Sequence, residues 1–190
     1  GFPPDSVPSV CITFDKLDKV GVDGVRQELL DKGNEFGDRA MGMFGDYVEM
    51  TTYREDGRLD ISAMLQKTQQ HLQDGTAVLC EAALRYYGNY CAVDILRRTE
   101  KGYELYEVKN SDGVKEQFIK DIGFQLYILT RCHVKISGCF VVYRGEEPVP
   151  FVVADVTEQA RAYSKTINDN IWRLGKIKMQ REEVQTETGP

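Results

Sequence analysis

Cysteine pairs at metal or redox spacing are missing from this sequence. Its five cysteines, Cys11, Cys80, Cys91, Cys132 and Cys139, are odd in number and irregularly spaced, and no C-x-x-C occurs. That argues against a disulfide framework and against a zinc ribbon. Cys80 and Cys91 lie inside apolar runs and read as small core residues. They are expected to be buried, reduced and outside any disulfide, which places the chain in a reducing cytoplasm. Long apolar runs are also absent, so no membrane span is expected. The opening GFPPDSVPSV has neither a basic start nor an apolar core, so it is not read as a secretory leader. The chain starts without Met, which leaves a processed chain and a piece of a larger protein with further domains both open. Excess positive charge is lacking too. At a net charge of −6 the chain is not a uniformly basic nucleic-acid binder, and any phosphate-contacting face must be built from local clusters. The two histidines, His71 and His133, have no partner pattern.

What is present suits one globular domain over residues 1–190: apolar residues make up 42% and charged residues 28%. The pattern is helical from about Val22 to Phe44, with Val25, Leu29, Phe36, Ala40 and Met43 on one stripe. Gly33 and Gly37 interrupt it, with Glu35 between them. Tyr47–Tyr53 predicts a short strand. Asp60–Gln73 predicts a helix, capped by Asp60 or Ser62 and stopped at Asp74-Gly75. Thr76–Tyr86 predicts a strand with Glu81 in the middle of an apolar run, an unusual place for a carboxylate.

Tyr90–Asn110 follows as a hairpin whose polar loop is Arg98–Gly102. Val114–Arg131 predicts a second helix, with Gln125 on its sheet-facing stripe. Lys135–Tyr143 predicts a strand, and Pro150–Val153 a short last one. Asp155 and Glu158 form a candidate capping box for a helix reaching about Arg181.

Three charges interrupt the hairpin: Asp94, Glu107 and Lys109. Strand side chains alternate faces, so Glu107 and Lys109 point the same way, and Asp94 joins them from the paired strand in a suitable register. Charges in a half-buried strand are costly unless paired or bound to a metal. Two carboxylates beside one ammonium could serve a hard divalent cation.

The pattern acid, gap, acid-x-Lys, here Asp94 then Glu107-Val108-Lys109, resembles the PD-(D/E)XK nuclease superfamily. The element order fits that superfamily's αβββαβ core over about residues 29–143, with the C-terminal helix at about 155–181 outside it. Glu81 before the motif acid, Cys91-Ala-Val-Asp94, the E-x-K and Gln125 with Tyr127 are most similar to the RecB-like branch. Within that branch the likeness is to a bacterial family with a D-x-x-x-Q run, here Asp121 to Gln125. Cys91 stands where the branch has Gly, and Leu129 where it has Tyr. The first helix has no His, and its nearest acid is Glu35.

The resemblance implies an α/β, restriction-endonuclease-like fold with a central mixed sheet flanked by helices. It implies a deoxyribonuclease that uses Mg²⁺ or Mn²⁺, with exo- and endonuclease action both open. Asp94, Glu107 and the carbonyl of Val108 would be the metal ligands. Lys109 would act on the attacking water or the transition state, and Gln125 would fix a phosphate or the Lys109 amine. Glu35 and Glu81 are candidate accessory acids. No cysteine follows Cys139, so no iron–sulfur cluster is expected.

DNA, single- or double-stranded, is the expected partner. Lys115 and Lys120 should flank the cleft, with Arg97, Arg98, Arg173, Lys176, Lys178 and Arg181 as further basic groups. The bland reading of Lys120 is a pair with Glu116 one turn earlier. Tyr86, Tyr87 and Tyr90 carry rings of a kind that stacks on bases, although strand packing is the commoner use. The alternative function is a non-catalytic nucleic-acid-binding or interaction module of the same fold, and a third reading is a scaffold that forms a homodimer through the C-terminal helix.

Overall fold

The computed structural model describes residues 35–171. Val22, Val25, Leu29 and Gly33 of the expected first helix lie outside that range. So do Cys11 and the basic residues Arg173, Lys176, Lys178 and Arg181. Among the described residues no helix is long and apolar enough to cross a membrane.

The chain is α/β. A single six-stranded mixed sheet runs in sequence order, β1 (Val48–Glu49), β2 (Val78–Tyr86), β3 (Asn89–Thr99), β4 (Gly102–Val108), β5 (Ile136–Arg144) and β6 (Phe151–Asp155). β2, β3 and β4 form an antiparallel meander, β5 lies parallel to β4, and β6 returns antiparallel. The parallel step requires a crossover, which α3 (Glu116–Arg131) supplies. Helix α1 covers 35–41 and gives way to a 3₁₀ turn at Gly42–Phe44. α2 is Ile61–Asp74, and α4 is described over 157–171.

Local chemistry accounts for the boundaries. The Asp60 side chain accepts the Ala63 N–H at 3.0 Å, and Gly75 ends α2 in the left-handed conformation (φ 70°). The expected hairpin loop at 98–102 narrows to Glu100-Lys101, because Thr99 and Gly102 still pair. Gly102 has φ 132°, and a Cβ there would meet the Lys135 carbonyl oxygen at 2.6 Å. The expected strand Tyr47–Tyr53 is shorter. Val48 and Glu49 pair with β2, after which the chain turns out to an isolated bridge between Tyr53 and Leu59. The acceptor that starts α4 is Asp155, which takes the N–H and the hydroxyl of Thr157, while Glu158 is exposed.

Two apolar layers clothe the sheet. The larger joins Leu79, Leu96, Leu105 and Val141 to Ile122, Ile128 and Leu129 of α3 and Ala160 and Ile167 of α4. The smaller joins Cys80, Ile95, Tyr106 and Val142 to Met41, Met43 and Phe44. Phe36 of α1 stacks edge-on against Phe151 at 5.5 Å on that second side. Cys80 and Cys139 are buried free thiols, and Cys91 is buried too.

Helices α3 and α4 touch at Gly123, where a Cβ would come within 2.6 Å of Tyr163 Cδ1 and 2.9 Å of its Cβ. Overpacking costs about 1–3 kcal/mol, more than the ~1 kcal/mol that alanine gains over glycine inside a helix. At Gly37 a Cβ would meet nothing within 4 Å. Gly123→Ala should therefore lower the urea midpoint and Gly37→Ala should hold or raise it. Equal effects from the two substitutions would show that α3 and α4 are not in this contact.

Candidate functional site

Strand register builds the site. Cys80 pairs with Ile95 and Ala82 with Val93, which sets Glu81 opposite Asp94. Ile95 pairs with Tyr106 and Leu96 with Leu105, and one further step brings Asp94 opposite Glu107. Glu81, Asp94 and Glu107 thus form one row across three adjacent strands. The ladder is broken there. Val108 N–H donates to Asp94 Oδ2 at 2.7 Å, and Glu81 has φ 56°, in the left-handed region that non-glycine residues rarely adopt.

The break shifts the alternation of faces. Leu79 belongs to the larger core and Cys80 to the smaller, yet Ala82 and Leu84 both return to the larger. β3 shifts with it: Ile95 faces the smaller core, while Cys91 and Val93 face the larger. The Ala83 N–H is taken up by the hydroxyl of fully buried Thr68 on α2, at 2.9 Å.

Helix α3 lies over the row. Gln125 Nε2 donates to Glu107 Oε2 at 2.6 Å, and Lys109 Nζ stands 3.4 Å from Glu107 Oε1. The same ammonium is 3.8 Å from Asp121 Oδ2, whose Oδ1 accepts from Gln117 Nε2 at 2.9 Å. Lys109 also lies over the Phe118 ring, 5.2 Å from its centre. Glu107 is 2% exposed and Asp121 1%, whereas the Lys109 side chain keeps 22% and so opens the site to solvent.

Burial dominates the electrostatics. It pushes the Glu107 carboxyl up to about 8, reinforced by Asp94 and opposed by Lys109 and the Gln125 amide. It pushes Asp94 up to about 7, with Glu81 adding and the Val108 N–H and Lys109 opposing. Glu81 rises to about 8 through burial and then the charges of Glu107, Glu49 and Asp38. Burial raises Asp121 as well, against Gln117 and Lys109. Burial raises all four carboxyls, and groups that interact this closely titrate as a coupled set.

The structure therefore brings Glu81, Asp94, Glu107, Lys109 and Gln125 together. Val108 enters through its N–H. Glu35 is exposed on α1, and it is Asp38, one turn on, whose charge reaches Glu81. Lys115 precedes α3, exposed, with its ammonium 5.9 Å from the Phe118 ring centre. Lys120 pairs with Glu116 at 3.7 Å. Sequence reasoning gave Asp121 no role of its own and passed over Asp38 and Thr68. Asp121 had a signal: Gln117, Asp121 and Gln125 recur every four residues, a polar row down an apolar helix.

Among the described residues no three His, Cys, Asp or Glu side chains stand as a ready-made cation cage. The donor chemistry still fits a hard divalent ion. Magnesium is usually held by one or two carboxylates plus waters and substrate phosphates. Here the oxygens belong to mutually repelling carboxylates, and Glu81 Oε2 is buried with no hydrogen-bond partner. Compared with known proteins, the chain matches no family model, no curated protein and no solved structure.

A carboxyl whose folded-state pKa is raised binds its proton more tightly when folded. Its stabilising contribution is complete below the unfolded value near 4–4.5 and is lost as pH rises through the folded value. With Asp94 at about 7 and Glu81 and Glu107 at about 8, stability in chelator should fall from pH 5 to pH 8. Urea denaturation across that window measures it, and Glu107→Gln should flatten the slope. A wild-type curve flat over the window would mean that these carboxylates are ionised and solvated.

Proposed function

We propose that this chain is a metal-dependent nuclease of the PD-(D/E)XK type, cleaving phosphodiester bonds in DNA. The element order α2, β2, β3, β4, α3, β5 is the order that family's core requires. One observation carries the reading: Lys109 stands between Glu107 and Asp121, beside the row that holds Asp94 and below Gln125. A salt-bridge cluster on a sheet surface would not need buried acids with raised pKa values.

Asp94, Glu107 and the Val108 carbonyl would hold Mg²⁺ or Mn²⁺, which when bound lowers the pKa of water and offsets charge building on the scissile phosphate. The protein's own groups do the rest. The Gln125 amide fixes the Glu107 carboxylate in one rotamer. Glu107 and Asp121 hold the Lys109 ammonium, which is placed to orient the attacking water or to meet the negative charge that develops. The row gives up protons as a cation binds, so cation affinity climbs through pH 7–8.

A non-catalytic module of the same fold is the second reading, favoured by the net charge of −6 and by the lack of a His in the first helix of the sequence. Cleavage of single- and double-stranded DNA with Mg²⁺ or Mn²⁺, beside calorimetric metal titration, separates the two. Lys109→Ala should cut cleavage by roughly 10²–10⁴-fold and leave metal affinity nearly intact, the range for a positioned proton-transfer group. Asp94→Ala and Glu107→Ala should lose both. Wild-type protein with neither cleavage nor a millimolar metal site would turn the assignment to the non-catalytic module.

A further inference from the structure

A second site lies further along α3. Beyond Gln125 the helix and α4 enclose an open cavity of about 760 Å³ between them, floored by the end of β2 and the start of β5. Three cations line it, Arg131, Arg161 and Lys165, with the rings of Tyr86 and Tyr127, and no carboxylate does. On a chain of net charge −6 this is a local reversal of sign. Arg161 and Lys165 sit four residues apart, on one face of α4, and both are exposed. Asp155, at the start of α4, lies within electrostatic reach of Arg161. Among the described residues no ion pair within 4.0 Å ties up Arg161 or Lys165. Arg131 is already placed, donating to Asn168 and lying over Tyr127 at 5.6 Å and Tyr86 at 5.9 Å.

The rim adds an aromatic face. Tyr87, at the β2–β3 turn, is 82% exposed and sits edge-on to Tyr86 at 4.7 Å. Its φ of 52° is strained for a residue with a Cβ. A large ring kept in water in a strained turn brings the fold no burial.

We infer that the α3–α4 groove binds single-stranded nucleic acid, with phosphates on Arg161 and Lys165 and a base on Tyr87. Cations tracking a backbone beside rings that accept unpaired bases are the chemistry of single-strand binding. A duplex hides the base faces that these rings would meet. A volume of about 760 Å³ suits a nucleotide-sized unit, with Tyr87 receiving the next base outside. Arg131 lies six residues past Gln125, roughly 9 Å along the helix, which puts the groove within a few nucleotides' reach of the acid row. As a statement about the nuclease's substrate this rests on the reading above. As a binding site it does not.

The test is anisotropy of fluorescein-labelled oligo(dT) in chelator, where cleavage plays no part. Arg161→Glu with Lys165→Glu should weaken binding at least tenfold and lower the salt slope by roughly 0.7 for each phosphate that is no longer neutralised. Tyr87→Ala should weaken it by roughly tenfold while leaving the salt slope unchanged, and its solvent position makes misfolding a poor explanation. Reversing Arg54 and Arg58, exposed and outside the groove lining, makes the same charge change and should do neither. The inference is overturned if wild-type protein does not bind oligo(dT), or if the α4 double reversal binds as tightly. It is equally overturned if a duplex of the same length or polyglutamate competes as well as the single strand. Binding without cleavage would remove the nuclease reading and keep the groove. Cleavage of single strands undiminished by the α4 reversal would remove the groove and keep the nuclease.

Discussion

The structure turns on keeping like-charged carboxylates out of water inside a sheet. Glu81, Asp94 and Glu107 stand side by side across three strands, with Asp121 above them. An isolated ionised carboxylate in such surroundings is far too costly, so the groups hold protons or find donors. The donors come from two elements: the Val108 N–H and the Lys109 ammonium from the end of β4, and the Gln117 and Gln125 amides from α3. The crossover that makes β5 parallel to β4 is what brings α3 over the row. Topology and electrostatics are therefore one constraint. An apolar row at the same place would stabilise this sheet better, which is the physical reason for reading the acids as functional.

The row also deforms the backbone. A non-glycine residue at positive φ costs on the order of 1–3 kcal/mol, and Glu81 adopts it in the middle of a core strand. The gain is a change of phase. Without it Glu81 and Ala83 would continue the face that Leu79 begins. With it Ala82 and Leu84 fill the large core in their place. β3 shifts in step, so the Glu81–Asp94 pairing is a shared irregularity of two strands. Thr68 caps the disturbance by taking the Ala83 N–H.

Much of this is legible in the amino-acid order alone. Asp94, Glu107 and Lys109 are visible because charges in an apolar hairpin stand out, and Glu81 because it interrupts an apolar run. Gln125 is visible from helical periodicity. The mixed α/β order, the crossover and the Asp60 cap are likewise written in local patterns. The rest depends on packing that local pattern does not encode. Glu35 lies between two glycines and draws attention, yet it is exposed, and Asp38, one turn further along α1, is the acid of that helix whose charge reaches Glu81. Asp121 looks like one more helix charge, since its burial depends on Lys109 arriving from another element. The left-handed Glu81 has no sequence mark, because such conformations normally favour glycine. The basic groove is invisible for the same reason as Asp121: Arg131 and Lys165 are far apart in sequence.

Helix α3 links the two regions, with acids at its first half and Arg131 at its end. A polyanion and a row of carboxylates repel each other, so a strand held near the row favours any state in which that charge is neutralised. Proton uptake achieves this at low pH and cation binding at higher pH. In the proposed role the strand and the cation therefore bind with positive coupling, and the coupling is reciprocal: each raises the affinity of the other by the same factor. The net charge of −6 then works in favour of selectivity. In that role it discourages nonspecific contact over most of the surface, while the local cations of the α3–α4 groove still offer phosphate a favourable approach.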